Sequence, residues 1–154
     1  VGGDTREISP RTTPPPNLPP QGGEGLGERQ QREWKTILDW AAKEFGAIWQ
    51  TTTGIEPAVQ TPETHAAMRA YLESLDAMRL AAAALMAPLF SSVLLALAVL
   101  KNRLSAGEAF LLSRLEEEFQ AERWGRDIEA EERVSRVKAE IEAAGRFLRL
   151  LDAA

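Results

Sequence analysis

LAAAALMAPLFSSVLLALAVL, the twenty-one residues from Leu80 to Leu100, contains no charged side chain, and it restricts the fold of this chain more than any other stretch. A run of this kind either crosses a bilayer or fills the middle of a helical core. As one straight helix it would be ~32 Å long, enough to span the hydrocarbon layer. Its composition argues for the core. Seven of the residues are the weakly apolar Ala, and Pro88, Ser91 and Ser92 sit at the centre. Pro88 removes a helical hydrogen bond, and the serines offer a new cap directly after it. Two short helices meeting at a corner are therefore expected, over roughly residues 76–89 and 92–101, with Leu94 and Leu97 as core positions. Arg79 stands before the run and Lys101 and Arg103 after it, so neither end shows a positive-inside bias. No membrane span is expected.

The rest of the chain supplies helices to bury that run. RQQREWKTILDWAAKEFG, from Arg29, places Trp34, Ile37, Leu38, Ala41 and Phe45 at spacings of three and four, and Gly46 is a left-handed stop. AIWQTTTGIEPAVQ, interrupted by Gly54 and Pro57, reads as an extended connector. Thr61-Pro62-Glu63 combines a capping hydroxyl, a first-turn Pro and an acid at the positive end of a helix. That helix carries Met68, Tyr71, Leu72 and Leu75, with a break near residues 74–76. Ser105 and Glu108 form a capping box that opens a helix reaching Trp124 and stopping at Gly125. Asp127 is positioned to cap a last helix with the stripe Val134, Val137, Ile141, Ala144 and Leu148. Residues 1–28 differ: they hold six of the nine Pro and six of the eleven Gly. With so little to bury they are expected to be a disordered tail, although PPPNLPP is also compatible with a polyproline II ligand. The expected fold is all-α: a compact bundle of five to six helices over residues 29–154 with one short extended connector.

Composition narrows the function. A net charge of −5 and a pI near 5.0, with no compensating basic stretch, argue against nucleic acid as the main partner. The chain has no Cys and a single His, His65, which disfavours thiolate or His-rich metal sites and Ser/His catalysis. No apolar leader precedes the helices, and the composition suits a reducing compartment. Glu118 and Glu122 are one helical turn apart, as ligands in di-metal bundles are, but the Glu-x-x-His partner is missing. GGEGLGE lies in the Pro-rich tail, without a preceding strand or a following Lys-Ser/Thr, so it is no phosphate loop. Neither catalysis nor a cofactor is expected.

The informative stretch is LLSRLEEEFQAERWGRDIEAEE, residues 111–132. Between Glu108 and Glu132 there are nine acids against three Arg. Leu112, Leu115 and Phe119 form the inward face of a helix there, while Glu116, Gln120 and Trp124, at i, i+4 and i+8, line up along a flanking face. An acidic rim beside a large indole suits a transient protein contact, in which charge steers encounter and an aromatic anchors it. Trp124 packed into the helix-end corner beside Gly125 is the simpler use of that residue. Likewise Glu116 has a competing use, an internal salt bridge to Arg123, Arg133 or Arg136.

LLSRLEEEFQAERWG resembles the signature of the ATP12 family, the chaperones that assemble the F1 sector of ATP synthase. The likeness extends backward through LALAVLKNRLSAGEA to RQQREWKTILDWAAKEFGA, covering about residues 29–151. It implies a non-enzymatic, soluble helical domain that binds the free F1 α subunit and shields it until assembly. The localisation implied is cytoplasmic in a bacterium and the mitochondrial matrix in a eukaryote. Carried over to this sequence, the family's functional glutamate falls on Glu116 and its Q-x-x-x-W-G on Gln120, Trp124 and Gly125. Glu122, in the same acidic rim, completes the expected partner-binding set. The family's β-rich N-terminal domain has no counterpart here, which leaves a second reading, a truncated helical module with only a structural or self-association role.

Overall fold

The computed structural model describes residues 25–52, 56–126 and 128–153. Among these there are seven helices and no strand: α1 (Leu26–Phe45), α2 (Pro62–Ser74), α3 (Ala77–Leu89), α4 (Val93–Leu100), α5 (Ala106–Ser113), α6 (Leu115–Trp124) and α7 (Ile128–Ala153). Most of the tail reading and the proposed Asp127 cap fall outside the described residues. Where the tail meets the helices, the boundary moves. α1 begins at Leu26 instead of Arg29, and the Gly25 N–H donates to the Glu28 carboxylate, 3.2 Å away, closing the first turn.

The uncharged run folds as two helices. Asp76 caps α3 by accepting from the Arg79 N–H at 2.9 Å, and Pro88 sits in its last turn. Ser92 caps α4 by accepting from the Leu95 N–H at 3.3 Å. Because α4 is apolar all round, it lies in the middle of the bundle, against α1, α3 and α5. Leu95, Ala96, Leu97, Ala98 and Val99 are all buried, whereas Leu94 is only partly so. No helix among the described residues is long and apolar enough to cross a membrane.

Two clusters share α4 between them. Leu95, Ala96 and Val99 join Met86 of α3 and Phe90 directly after it, Ala109 and Phe110 of α5, and Ile141, Ala144 and Leu148 of α7. Leu97 instead meets Met68 and Ala83, with Phe45, Trp49 and Tyr71 packed around them. The connector from Gly46 to Thr61 has no regular secondary structure where described. It is tied down by the Thr64 hydroxyl donating to the Ile48 carbonyl (3.1 Å) and by Gln60 bonding both backbone groups of Gln50. Arg79 bridges Asp76 and Asp152, and Asn102 also donates to Asp152, so the C-terminal end of α7 is fastened to the start of α3.

The expected count of five to six helices is exceeded for one reason. The helix expected to run from Ser105 to Trp124 is two helices, divided at Arg114, whose φ of −116° and ψ of 18° leave the helical region. The two halves follow different neighbours, α5 packing on α4 and α7 while α6 reaches α1.

Candidate functional site

The geometry around α6 starts with the cap of α5. The Ser105 hydroxyl accepts from the Glu108 N–H at 3.2 Å, and the Ser105 N–H donates to the Glu108 carboxylate at 2.7 Å. The bond from the Ser105 N–H foremost, with the Ser105 hydroxyl beside it, holds the Glu108 carboxyl below the usual range. From this cap α5 lies close along α7. A Cβ on Gly145 would come within 2.8 Å of the Ala106 Cβ, so the contact depends on glycine at that position. Arg114 then turns the chain outward. Its N–H bonds the Leu111 carbonyl, three residues back, and α6 departs with no fully buried residue of its own.

What holds α6 is a clasp to α1. The Arg29 guanidinium donates to both carboxylate oxygens of Glu122, at 3.0 and 3.1 Å. Arg29 also lies over the Phe119 ring, 5.6 Å from its centroid, and Arg123 lies over the same ring at 4.1 Å. The hydrogen bonds from Arg29 push the Glu122 carboxyl below its ordinary value and raise the guanidinium in turn. α6 ends at Gly125, whose φ of 88° and ψ of 170° belong to a region that only glycine enters readily.

Of the four residues singled out in the sequence, three share one side of α6. The Gln120 amide donates to the Glu116 carboxylate at 3.3 Å, and both residues are exposed. Trp124 continues the stripe with 56% of its surface exposed, so it is not packed into the helix-end corner. Among the described residues Glu116 has no ion pair; Gln120 is its partner. Glu122 stands apart from them, on the α1 side in the clasp with Arg29. Glu118 is held by Arg126, so the two carboxylates one turn apart are each engaged by a different cation.

Beside this stripe, α6 and α7 leave a groove of about 640 Å³. Arg114, Glu117, Ala121, Trp124, Val134 and Lys138 are among its lining residues. Sequence reasoning passed over Arg29 and Arg114. Nothing local marks Arg29, because its partner is 93 residues away. Arg114 left one trace, a lone cation in the otherwise uncharged AFLLSRL, four residues after the Phe110 ring on which it lies.

Comparison with known proteins adds the following. No family model matches the chain. It is 30% identical over 103 residues to the mitochondrial protein atp12 of Schizosaccharomyces pombe, a match spanning 65% of this chain and 35% of that protein. The crystal structure of Atp12 from Paracoccus denitrificans superposes with a TM-score of 0.77 at 40% identity, covering 84% of this chain and 55% of that one; a point mutant of the same protein gives 0.79. An Agrobacterium tumefaciens protein described as a candidate chaperone superposes with a TM-score of 0.76 at 36% identity, over 85% of this chain and 49% of that one. The chain thus spans about half the length of its solved relatives and about a third of the fission-yeast protein. Across its described helices, the chain is similar in sequence and fold to the helical part of the Atp12 proteins.

Proposed function

We propose that this chain is an assembly chaperone for ATP synthase that holds the free F1 α subunit through the exposed face of α6. The observation that carries the reading is the stripe Glu116–Gln120–Trp124, solvent-facing on a fold that matches Paracoccus Atp12 at 40% identity. An exposed indole flanked by a carboxylate and an amide is the composition of a small interface hot spot, and α6 needs none of the three for its own packing. Masking a surface in this way requires no reacting group, so the role is non-enzymatic. It would be carried out in the mitochondrial matrix or, in a bacterium, in the cytoplasm, with the helical unit acting as the binding domain.

The experiment is capture of isolated F1 α subunit by wild type, Glu116→Lys and Glu116→Gln, with thermal unfolding measured on the same samples. Glu116→Lys reverses the charge of the stripe and is expected to abolish capture, since like charges juxtaposed at an interface cost several kcal/mol. Its melting temperature should stay at the wild-type value, because Glu and Lys have similar helix propensity and Glu116 has no ion pair to lose. A variant that melts early whenever it fails to capture overturns the reading.

Self-association is the second reading, and one observation favours it. The outer face of α3 exposes Met78 (57%), Leu80 (41%) and Leu85 (54%) together with Ala77, Ala81, Ala84 and Pro88, with no polar side chain among them. Sedimentation equilibrium separates the two readings: a mass that rises with concentration and falls back in Leu85→Glu supports association through α3.

A further inference from the structure

We infer that the groove between α6 and α7 seats a partner segment carrying one carboxylate and one bulky apolar side chain, the carboxylate on Arg114 and the apolar group on Trp124. The inference rests on the protein-binding role proposed above for α6 and specifies the chemistry of what binds there.

Arg114 is the observation that carries it. Its Nε is buried and has no hydrogen-bond partner. Among the described residues the guanidinium makes neither a hydrogen bond nor an ion pair; its one close partner is the Phe110 ring, 5.6 Å away. The neighbouring cations are differently placed, Arg126 held by Glu118 and Arg29 by Glu122. Arg114 is half-buried, and a guanidinium N–H withdrawn from water without an acceptor is a costly feature for a chain to keep, while the planar fork matches a carboxylate's two oxygens. Arg114 lines the same groove as Trp124, with Ala121, Ala130 and Val134 supplying apolar lining. Arg and Trp are the side chains that most often dominate interface energy.

The charges on the groove restrict the occupant further. Glu117 and Glu131 also line it, beside the mutually paired Glu118 and Arg126, so a strongly acidic segment would be repelled, while Lys138 adds a further cation. One carboxylate, directed at Arg114, is what the lining accommodates. Arg114 and Trp124 stand at opposite ends of α6, a separation of ~15 Å along the helix. The apolar anchor of the partner should lie about that far from its acid.

The test uses the whole chain as wild type, Arg114→Met and Arg114→Lys, each measured for thermal unfolding and for capture of isolated F1 α subunit. Alongside it, the Arg114 Nε–H resonance is followed in nitrogen-15-labelled chain, assigned by its loss in Arg114→Lys. Two probes are titrated against it: acetyl-Leu-Glu-Leu-amide and its Gln counterpart. Arg114→Met keeps the packing on Phe110 and removes the unpaired charge. It should melt no lower than wild type while losing capture at least tenfold. Arg114→Lys, with charge but no fork, should lie between the two. The Nε–H signal should move with the Glu peptide and stay with the Gln peptide. Normal capture by Arg114→Met, early melting of that variant, or equal responses to the two peptides each overturns the inference. If the wild-type chain captures no α subunit, the chaperone reading falls by itself, and the peptide pair still decides whether the groove takes a carboxylate.

Discussion

Arg29 and Glu122, 93 residues apart, meet in a two-bond ion pair that is the main polar tie between α1 and α6. Since no residue of α6 is fully buried, this clasp and the Phe119 ring beneath it govern how firmly the candidate binding helix is held.

The clasp should make α6 sensitive to acid. The Glu122 carboxyl lies below its ordinary value of 4.5 because Arg29 bonds it, so its contribution is complete above that value and is lost as pH falls through the lowered one. Amide exchange in α6, corrected for the intrinsic pH dependence of exchange, is expected to quicken below about pH 4.5 in wild type, before the core exchanges faster. In Glu122→Gln it should already be fast at neutral pH and show no further step. Acid-independent exchange in wild type would show that α6 is held by something else.

Leu97 and Leu94 should separate sharply in stability. Leu97 is completely buried, and truncation to Ala should cost ~2–5 kcal/mol. Leu94, partly exposed on the same helix, should cost roughly 1–2 kcal/mol. Chemical denaturation of the two variants measures both. Equal losses would mean that α4 is rotated from the orientation described here.

Gly145 should resist the substitution that normally stabilises a helix. Replacing Gly by Ala in a helix interior gains roughly 0.5–1 kcal/mol. Here the new Cβ would sit 2.8 Å from that of Ala106, and neither group is a flexible chain end that can move aside. Gly145→Ala is expected to be destabilising overall, by about 1–3 kcal/mol, as α5 and α7 are forced apart. Adding Ala106→Gly should recover most of the loss, which thermal unfolding of the single and double variants will show.

The helical unit should fold without the first 24 residues. These contain one Leu, one Ile and one Val as their sizeable aliphatics and no aromatic residue, so they have little apolar surface to contribute. Deleting residues 1–24 should leave the melting temperature unchanged. Deleting residues 1–28 should lower it, because that cut removes the first turn of α1 and the Glu28 contact that closes it.

The helical class, the corner at Pro88 and most helix starts are legible in the order of residues alone. Those signals are local: Thr61, Ser92 and Ser105 each cap a helix by bonding an N–H three residues ahead, and Pro88 and Gly46 act on the backbone they occupy. The burial of α4 was legible for a related reason, since a helix apolar on every side has only one stable place in a water-soluble bundle. The i, i+4 spacing likewise put Glu116, Gln120 and Trp124 on one face. Long-range packing sets the break at Arg114, because both halves of that stretch favour helix and the turn arises from α5 following α7 while α6 follows α1. It also decided the different positions of Glu116 and Glu122, two acids of one short helix. Glu122 meets Arg29 only after α1 has docked, and no spacing rule reaches across 93 residues. The unpaired state of Arg114 has the same origin, for it depends on which acids the folded chain brings near and which it engages elsewhere.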